Sequence, residues 1–454
     1  MSADSTPPGG DHPATPPDRP AYGFPARGWA LLAAHPPPGV RGVPRRWRSP
    51  LRGPWLTAVL GLVLLVGLPV VFLTGLLDHL AYGPRFGQAF PRDVGWLRLP
   101  PVDWPTRPSW LFRVTQGLHV TLGIVLVPVV LGKLWSVVPK LFGWPPARSV
   151  AQVLERLSLL LLVGGILFEL ATGLLNIQYA YLFGFDFYTA HYFGGWVFVA
   201  ALVVHVALRW GRTRAAVRSR PLRGELTVPR AATHPEPPDP DGLVAPAPGP
   251  ATVSRRDALA LVGGLSLLLG ALTVGQSLDG PWRRTALLLP RGRQPGTGPT
   301  GFPVNRTAVA AGITAADTGP DWRLTLRAGE RRVTLDRAAL LAMTPHTARL
   351  PIACVEGWST LQTWTGVRLR DLAALVGADR PRSAHVRSLQ RGGLFAQATL
   401  QANQVRDPDA LLALAVNGVE LTPDHGYPAR IIVPALPGVH CTKWVAEIDF
   451  RTDD

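Results

Sequence analysis

Leu350-Pro351-Ile352-Ala353-Cys354-Val355-Glu356-Gly357-Trp358-Ser359 is an apolar, strand-like run that delivers a cysteine into a short turn. Around it, Trp322-Arg323-Leu324-Thr325-Leu326 and Arg332-Val333-Thr334-Leu335 alternate with the period of half-buried strands, and residues 337–343 follow with helical spacing. The segment from Asp321 onward therefore reads as an α+β domain. Cys354 is one of two cysteines in 454 residues, the other being Cys441, which is too few for a disulfide framework. A buried structural role is the commonest use of such a cysteine. A thiolate is also a good ligand for a redox metal, and no second cysteine or nearby histidine completes a zinc site.

Upstream the composition changes. The whole chain is 47% hydrophobic and only 17% charged, a balance tilted toward membrane segments. Its formal charge of +16 does not point to nucleic acid, because the arginines cluster beside apolar stretches. Prolines and glycines concentrate in residues 6–38, 234–250 and 290–303, which read as tails and linkers. Five uncharged or nearly uncharged stretches, at about 55–77, 114–132, 157–176, 190–208 and 258–278, are each long enough to cross a hydrocarbon core of roughly 30 Å.

Basic residues set the orientation expected in a lipid bilayer. Arg41, Arg45, Arg46, Arg48 and Arg52 precede the first span, Lys133, Lys140 and Arg148 lie between the second and third, and Arg209, Arg212, Arg214, Arg218, Arg220 and Arg223 follow the fourth. The positive-inside rule puts all three groups, and the N-terminus, in the cytoplasm of a multi-pass plasma-membrane protein, with the domain beyond the fifth span outside. Ser254-Arg255-Arg256-Asp257-Ala258-Leu259 resembles a twin-arginine export signal, with a plain positive-inside flank as the alternative reading. The expected organisation is a cytoplasmic proline-rich tail (1–50), four spans (51–212), a cytoplasmic linker (213–253), a fifth span (254–279), an outer linker (280–320) and the α+β domain (321–454).

Ionisable side chains inside a span are costly and need a reason. His119, His191 and His205 are such cases, and Glu169 is a fourth, either a proton relay or a protonated carboxyl bonded to a neighbouring helix. His191 and His205 are fourteen residues apart, almost four helical turns and about 21 Å, so they share a face at different depths. His119 and His191 fall at the same outer level, where neutral imidazoles on facing helices can clamp a metal.

Gly117-Leu118-His119-Val120, with His191 and His205, resembles the cytochrome b subunits of membrane formate dehydrogenases and nickel-iron hydrogenases. That resemblance implies an outer haem b held by His119 and His191, and the quinone pool as membrane partner. It implies an inner haem on His205 with a first-span partner. No histidine stands at the inner end of that span, and the nearest, His79, is at its outer end, so His205 is either a second haem ligand or a packing residue.

Cys354-Val355-Glu356-Gly357-Trp358-Ser359, followed by Trp364-Thr365-Gly366-Val367, resembles the molybdenum-binding segment of sulfite oxidase-type proteins, and most of all their periplasmic methionine sulfoxide reductase branch. A second segment, Asn417-Gly418-Val419-Glu420-Leu421 through Asp424-His425-Gly426-Tyr427-Pro428-Ala429-Arg430 to Lys443-Trp444, is similar to the same family's pterin phosphate site. The resemblance implies Cys354 as the catalytic molybdenum thiolate and His425, Arg430 and Lys443 as contacts to molybdopterin. Arg and Lys suit phosphate through charge-assisted hydrogen bonds. The arginine pair that follows the ligand cysteine in sulfite oxidases is replaced here by Glu356-Gly357-Trp358, so sulfite is not supported as substrate. Asn305 and Arg306 are either cofactor contacts or loop residues, and Cys441 reads as a passive thiol.

The expectation is a membrane all-α helical bundle of about five spans, four in the cytochrome b unit, followed by an extracytoplasmic α+β molybdopterin domain. Haem b would exchange electrons between quinone and a molybdenum centre acting on a small-molecule substrate by oxygen-atom transfer, with room for an external redox partner. The alternative is a membrane haem b protein for electron delivery or sensing, whose outer domain does not turn over.

Overall fold

A computed structural model describes residues 34, 47–83, 102–141, 150–177, 182–239, 241–288, 296–393 and 396–452. The proline-rich stretch 6–33, Arg41, Arg45, Arg46 and Arg148 lie outside the described residues. Six long helices organise the first half: α1 (Pro54–Ala81), α2 (Leu111–Val125), α3 (Val127–Leu141), α4 (Val150–Ile177), α5 (Phe187–Ser219) and α6 (Arg255–Val274). α2 and α3 run on as one unit broken only at Leu126, so five helical stretches are long and apolar enough to cross a membrane. Their outward faces carry exposed side chains such as Leu160, Val203 and Leu267, as lipid-facing helices do. α4 packs along α5, α1 along α2, and α6 along α2.

The ends of these helices are held by distant residues. α1 begins at Pro54, a residue suited to the first helical turn, and the Trp55 backbone N–H donates to both carboxylate oxygens of Glu236 at 3.2 and 3.1 Å. Gly53 leaves room for that carboxylate, since a Cβ there would lie 2.3 Å from Glu236 Oε1. α6 starts with a capping box between Ser254 and Asp257. The first arginine of that start, Arg255, is buried, pairs with Glu225 at 3.1 Å and donates to the His234 carbonyl at 2.9 Å. The stretch expected as a linker at 213–253 is therefore largely packed structure: α5 runs on to Ser219, a short helix spans Leu222–Thr227, and Glu236 caps α1.

The second half folds as two five-stranded sheets. One has the order β2 (Arg331–Leu335), β1 (Leu324–Ala328), β10 (Val445–Arg451), β5 (Ser383–Ser388), β6 (Gln397–Gln401), with β1 and β10 parallel. The other has β3 (His346–Ala353), β4 (Ser359–Arg368), β7 (Leu411–Val416) and β8 (Val419–Glu420), with β9 (Arg430–Ile432) also pairing with β7. Leu324, Val386, Leu400 and Ile448 of the first sheet share one apolar core with Leu412, Leu414 and Ile431 of the second. Tyr82, Trp104 and Phe112 from the helical half are buried in that same core. The Trp104 indole N–H donates to the Ala435 carbonyl at 2.8 Å, and Arg107 pairs with Asp409 at 2.5 Å, so the segment before α2 straps the two halves together.

Removing the Glu236 carboxylate leaves the first amides of α1 without their acceptor. Glu236→Ala should lower stability by on the order of 1 kcal/mol, read as a lower thermal midpoint in detergent. A midpoint equal to that of the parent protein contradicts the capping role.

Candidate active site

β3 and β4 pair in register from His346↔Gly366 to Ala353↔Ser359, so the hairpin ends in the turn 354–358. The Cys354 N–H donates to the Trp358 carbonyl at 2.8 Å and the Gly357 N–H to the Cys354 carbonyl at 3.0 Å. Gly357 has φ +94°, a conformation that a side chain would strain, which explains glycine here. The turn thus fixes Cys354 at one wall of a cavity. Its thiol lies 3.6 Å from Glu356 Oε1, and neither Cys354 nor Cys441 is in a disulfide.

His425, Arg430 and Lys443 line the same cavity, together with Phe302, Asn305, Arg306 and Cys441. His425 ends a short turn capped by Thr422, stacks on Phe302 with ring centroids 3.8 Å apart, and donates through Nε2 to the Thr300 carbonyl at 2.7 Å. Because a carbonyl only accepts, that bond leaves Nδ1 as the lone-pair nitrogen. Burial, then the Arg430 and Lys443 charges, push His425 down to about 3, so its imidazole is neutral. Arg430, at the start of β9, is buried over the Trp364 ring and donates to the carbonyls of His425 at 3.0 Å and Cys441 at 3.2 Å. Burial lowers it to about 10. Lys443 donates to the carbonyls of Asp424, at 2.9 Å, and Arg306, and burial followed by the Arg430 charge brings its amine down to about 7.

This arrangement suits an anion. Among the described residues Asp424 is the only acid lining the cavity, and its Oδ1 accepts the Ala308 N–H at 2.8 Å. Arg430 Nε, Arg306 Nε, Trp358 Nε1 and Thr442 Oγ1 are buried without hydrogen-bond partners among the described residues. Unmatched buried donors and cations are costly and are relieved by an acceptor-rich ligand. A pterin phosphate at Arg430 and Lys443, with a metal at Cys354, fits that donor set. Residues 302–306 belong to this wall, although the sequence places them in a linker; no local pattern marked them beyond the pair Asn305-Arg306. Burial raises the Cys441 thiol, which keeps it protonated.

The helical half holds a second cavity. His119 on α2 and His191 on α5 face each other with ring centroids 6.1 Å apart and planes at 88°. His119 Nδ1 is 2.9 Å from the Val71 carbonyl, and His191 Nδ1 is 3.0 Å from Thr172 Oγ1 and 3.1 Å from Glu169 Oε2. Anchored Nδ1 atoms leave both Nε2 atoms free to ligate, the usual second-sphere pattern of metal-binding histidines. Glycines make room for the rings: a Cβ at Gly75 would sit 2.8 Å from His119 Cε1, and one at Gly173 3.4 Å from His191 Cε1. His79, stacked on Tyr192 at 4.1 Å, lines the same space. His205 lines a separate cavity with Lys133 and Asp241, where no other histidine is among the described lining residues. Lys133 donates there to the Thr57 carbonyl at 2.6 Å.

Lys443 gives the α+β domain a pH signature. The unfolded chain keeps this proton up to about 10.5, whereas the folded cavity releases it near 7, so stability rises with pH across that window. The thermal midpoint of the cofactor-free protein should climb between pH 7 and about 9, and Lys443→Met should flatten that climb. A slope equal in parent and variant contradicts the buried, depressed amine.

Comparison with known proteins agrees with this geometry. Residues 311–454 match the family described as oxidoreductase molybdopterin binding domain. The chain is 32% identical over 114 residues to the uncharacterized oxidoreductase YuiH of Bacillus subtilis (strain 168), covering 25% of this chain and 56% of that protein. It is 38% identical over 96 residues to a nitrate reductase [NADH] of Volvox carteri, covering 19% of this chain and 11% of that one. Against the sulfite oxidase of Arabidopsis thaliana it is 32% identical over 106 residues, covering 20% and 27%. The chain thus spans little more than half of the first of these relatives and far less of the other two. Residues 311–454 thus match an oxidoreductase molybdopterin binding domain and are similar to part of sulfite oxidases and nitrate reductases.

Proposed function

We propose that the chain is a membrane-bound oxidoreductase in which a haem b, held between His119 and His191, exchanges electrons between the quinone pool and a molybdenum centre outside the cytoplasm. The observation that carries this reading is the meeting of Cys354, His425, Arg430 and Lys443 around one cavity whose lining holds a single acid among the described residues, Asp424. Arg430 and Lys443 would anchor the pterin phosphate, neutral His425 would offer a further contact, and Cys354 would supply the protein thiolate to the metal. The bound cofactor supplies two-electron oxygen-atom chemistry on a small substrate. The chain's own part is to orient that cofactor and keep the thiolate inside a dry turn. The haem assignment is supported by the facing imidazoles and their anchored Nδ1 atoms. His205 has a lysine for company and gives a second haem no second imidazole. The five apolar helices and the arginines on one side support a multi-pass membrane protein with a cytoplasmic N-terminus and an outer catalytic domain.

Metal analysis and a reduced-minus-oxidised spectrum of the detergent-purified protein test this reading. Molybdenum and a b-type haem should both approach one per chain. His119→Ala should lose haem and keep molybdenum, and Cys354→Ser should abolish turnover while keeping haem. Haem without molybdenum, in a host that makes the cofactor, contradicts the enzyme and favours electron delivery or sensing. In the same preparations Arg430→Met should lower molybdenum content severalfold, since charge-assisted bonds to phosphate each contribute about 1.5–3 kcal/mol; unchanged content contradicts the anion site.

A further inference from the structure

One residue separates the two cavities. Cys354 lines the site in the α+β domain, and its neighbour Val355 lines the cavity that holds His119 and His191. Gln116, buried on α2 one turn before His119, donates from Nε2 to the Val355 carbonyl at 2.7 Å and lines the same cavity. A continuous route therefore runs from His119 along one turn of α2 to Gln116, across a short hydrogen bond, and through one peptide to Cys354. Electron tunnelling falls off far more steeply through empty space than through bonds, so a hydrogen bond that closes a gap between two bonded segments governs the coupling.

We propose that the Gln116–Val355 contact is the electron bridge between the histidine-lined cavity and the Cys354 site, with Gln116 as its positioning residue. The proposal rests on the haem and molybdenum reading above. One electron crosses at a time: the donor side is oxidised by one and the acceptor side reduced by one. No bond or proton is transferred across the bridge, so a two-electron turnover uses it twice: quinol gives up two electrons and two protons, and a small oxygenated substrate at the Cys354 site takes up the electrons and loses its oxygen atom as water.

The turn that carries Cys354 has other holds that bypass the bridge. Ser277 Oγ donates to the Gly357 carbonyl at 3.1 Å, the Ser359 N–H donates to the Gln276 carbonyl at 3.0 Å, and Arg283 donates to the Ser359 carbonyl. None of Ser277, Gln276 or Arg283 lines the histidine cavity. Loss of the Gln116 donor should therefore leave the turn in place, which separates a coupling role from a docking role.

The test uses the full-length holoprotein in detergent, with the haem reduced by a laser flash on a flavin photoreductant and its reoxidation followed optically. Gln116→Met should slow haem-to-molybdenum transfer at least about tenfold. Haem and molybdenum contents, the haem potential and the relaxation enhancement of the Mo(V) EPR signal by ferric haem should stay as in the parent, which shows that the spacing is intact. Ser277→Ala should transfer at the parental rate. Gln116→Leu, which also lacks the donor, serves if the methionine variant does not fold. A Gln116 variant within about twofold of the parental rate, equal slowing by Ser277→Ala, or slowing with altered Mo(V) relaxation would each overturn the bridge. A parent protein without haem or molybdenum removes the proposed function and the bridge together, whereas a fast Gln116 variant of a fully loaded protein removes the bridge alone.

Discussion

Arg430, buried, and Lys443, partly buried, are basic groups in one cavity whose only lining carboxylate among the described residues, Asp424, accepts the amide of Ala308. Much of the site follows from having to hold those basic groups with a single acid in the lining among the described residues. The chain satisfies them with backbone carbonyls: His425 and Cys441 for Arg430, Asp424 and Arg306 for Lys443. Carbonyl dipoles only partly replace water, which is why burial drags both groups below their ordinary values. A site built this way favours an anion over a neutral ligand.

The same economy of backbone groups positions Cys354. The β3–β4 register fixes the turn, Gly357 supplies its left-handed corner, and contacts from Gln116, Gln276, Ser277 and Arg283 press it against the helical half. The two halves are therefore not beads on a string. Tyr82, Trp104 and Phe112 are buried in the sheet domain's core, so the depth at which the helices sit also sets where the cysteine turn lies relative to His119.

Features encoded locally were legible in the sequence. Five apolar stretches became five helical stretches because hydrophobic run length is a local property, with ends shifted by a few residues where caps decide them. The Cys354 run read as a strand entering a turn, and β3 ends there. What the sequence hid were contacts between residues far apart in the chain. Glu236 caps Trp55 across 181 positions, and Phe302 meets His425 across a stretch that looked like a proline-rich linker. Composition marks such segments as connectors, and only the folded partner shows them as walls and caps. The proximity of Val355 to His119 belongs to the same class, since it arises from packing between halves that carry no shared motif.

The central claim is that Cys354 binds the metal of a cofactor whose phosphate rests on Arg430 and Lys443. The molybdenum K-edge X-ray absorption spectrum of the purified protein, compared with that of Cys354→Ser, tests it most directly. The account requires a molybdenum-bound parent that loses one sulfur scatterer in the variant while the metal is retained. An unchanged sulfur shell would place the metal away from Cys354 and contradict the account.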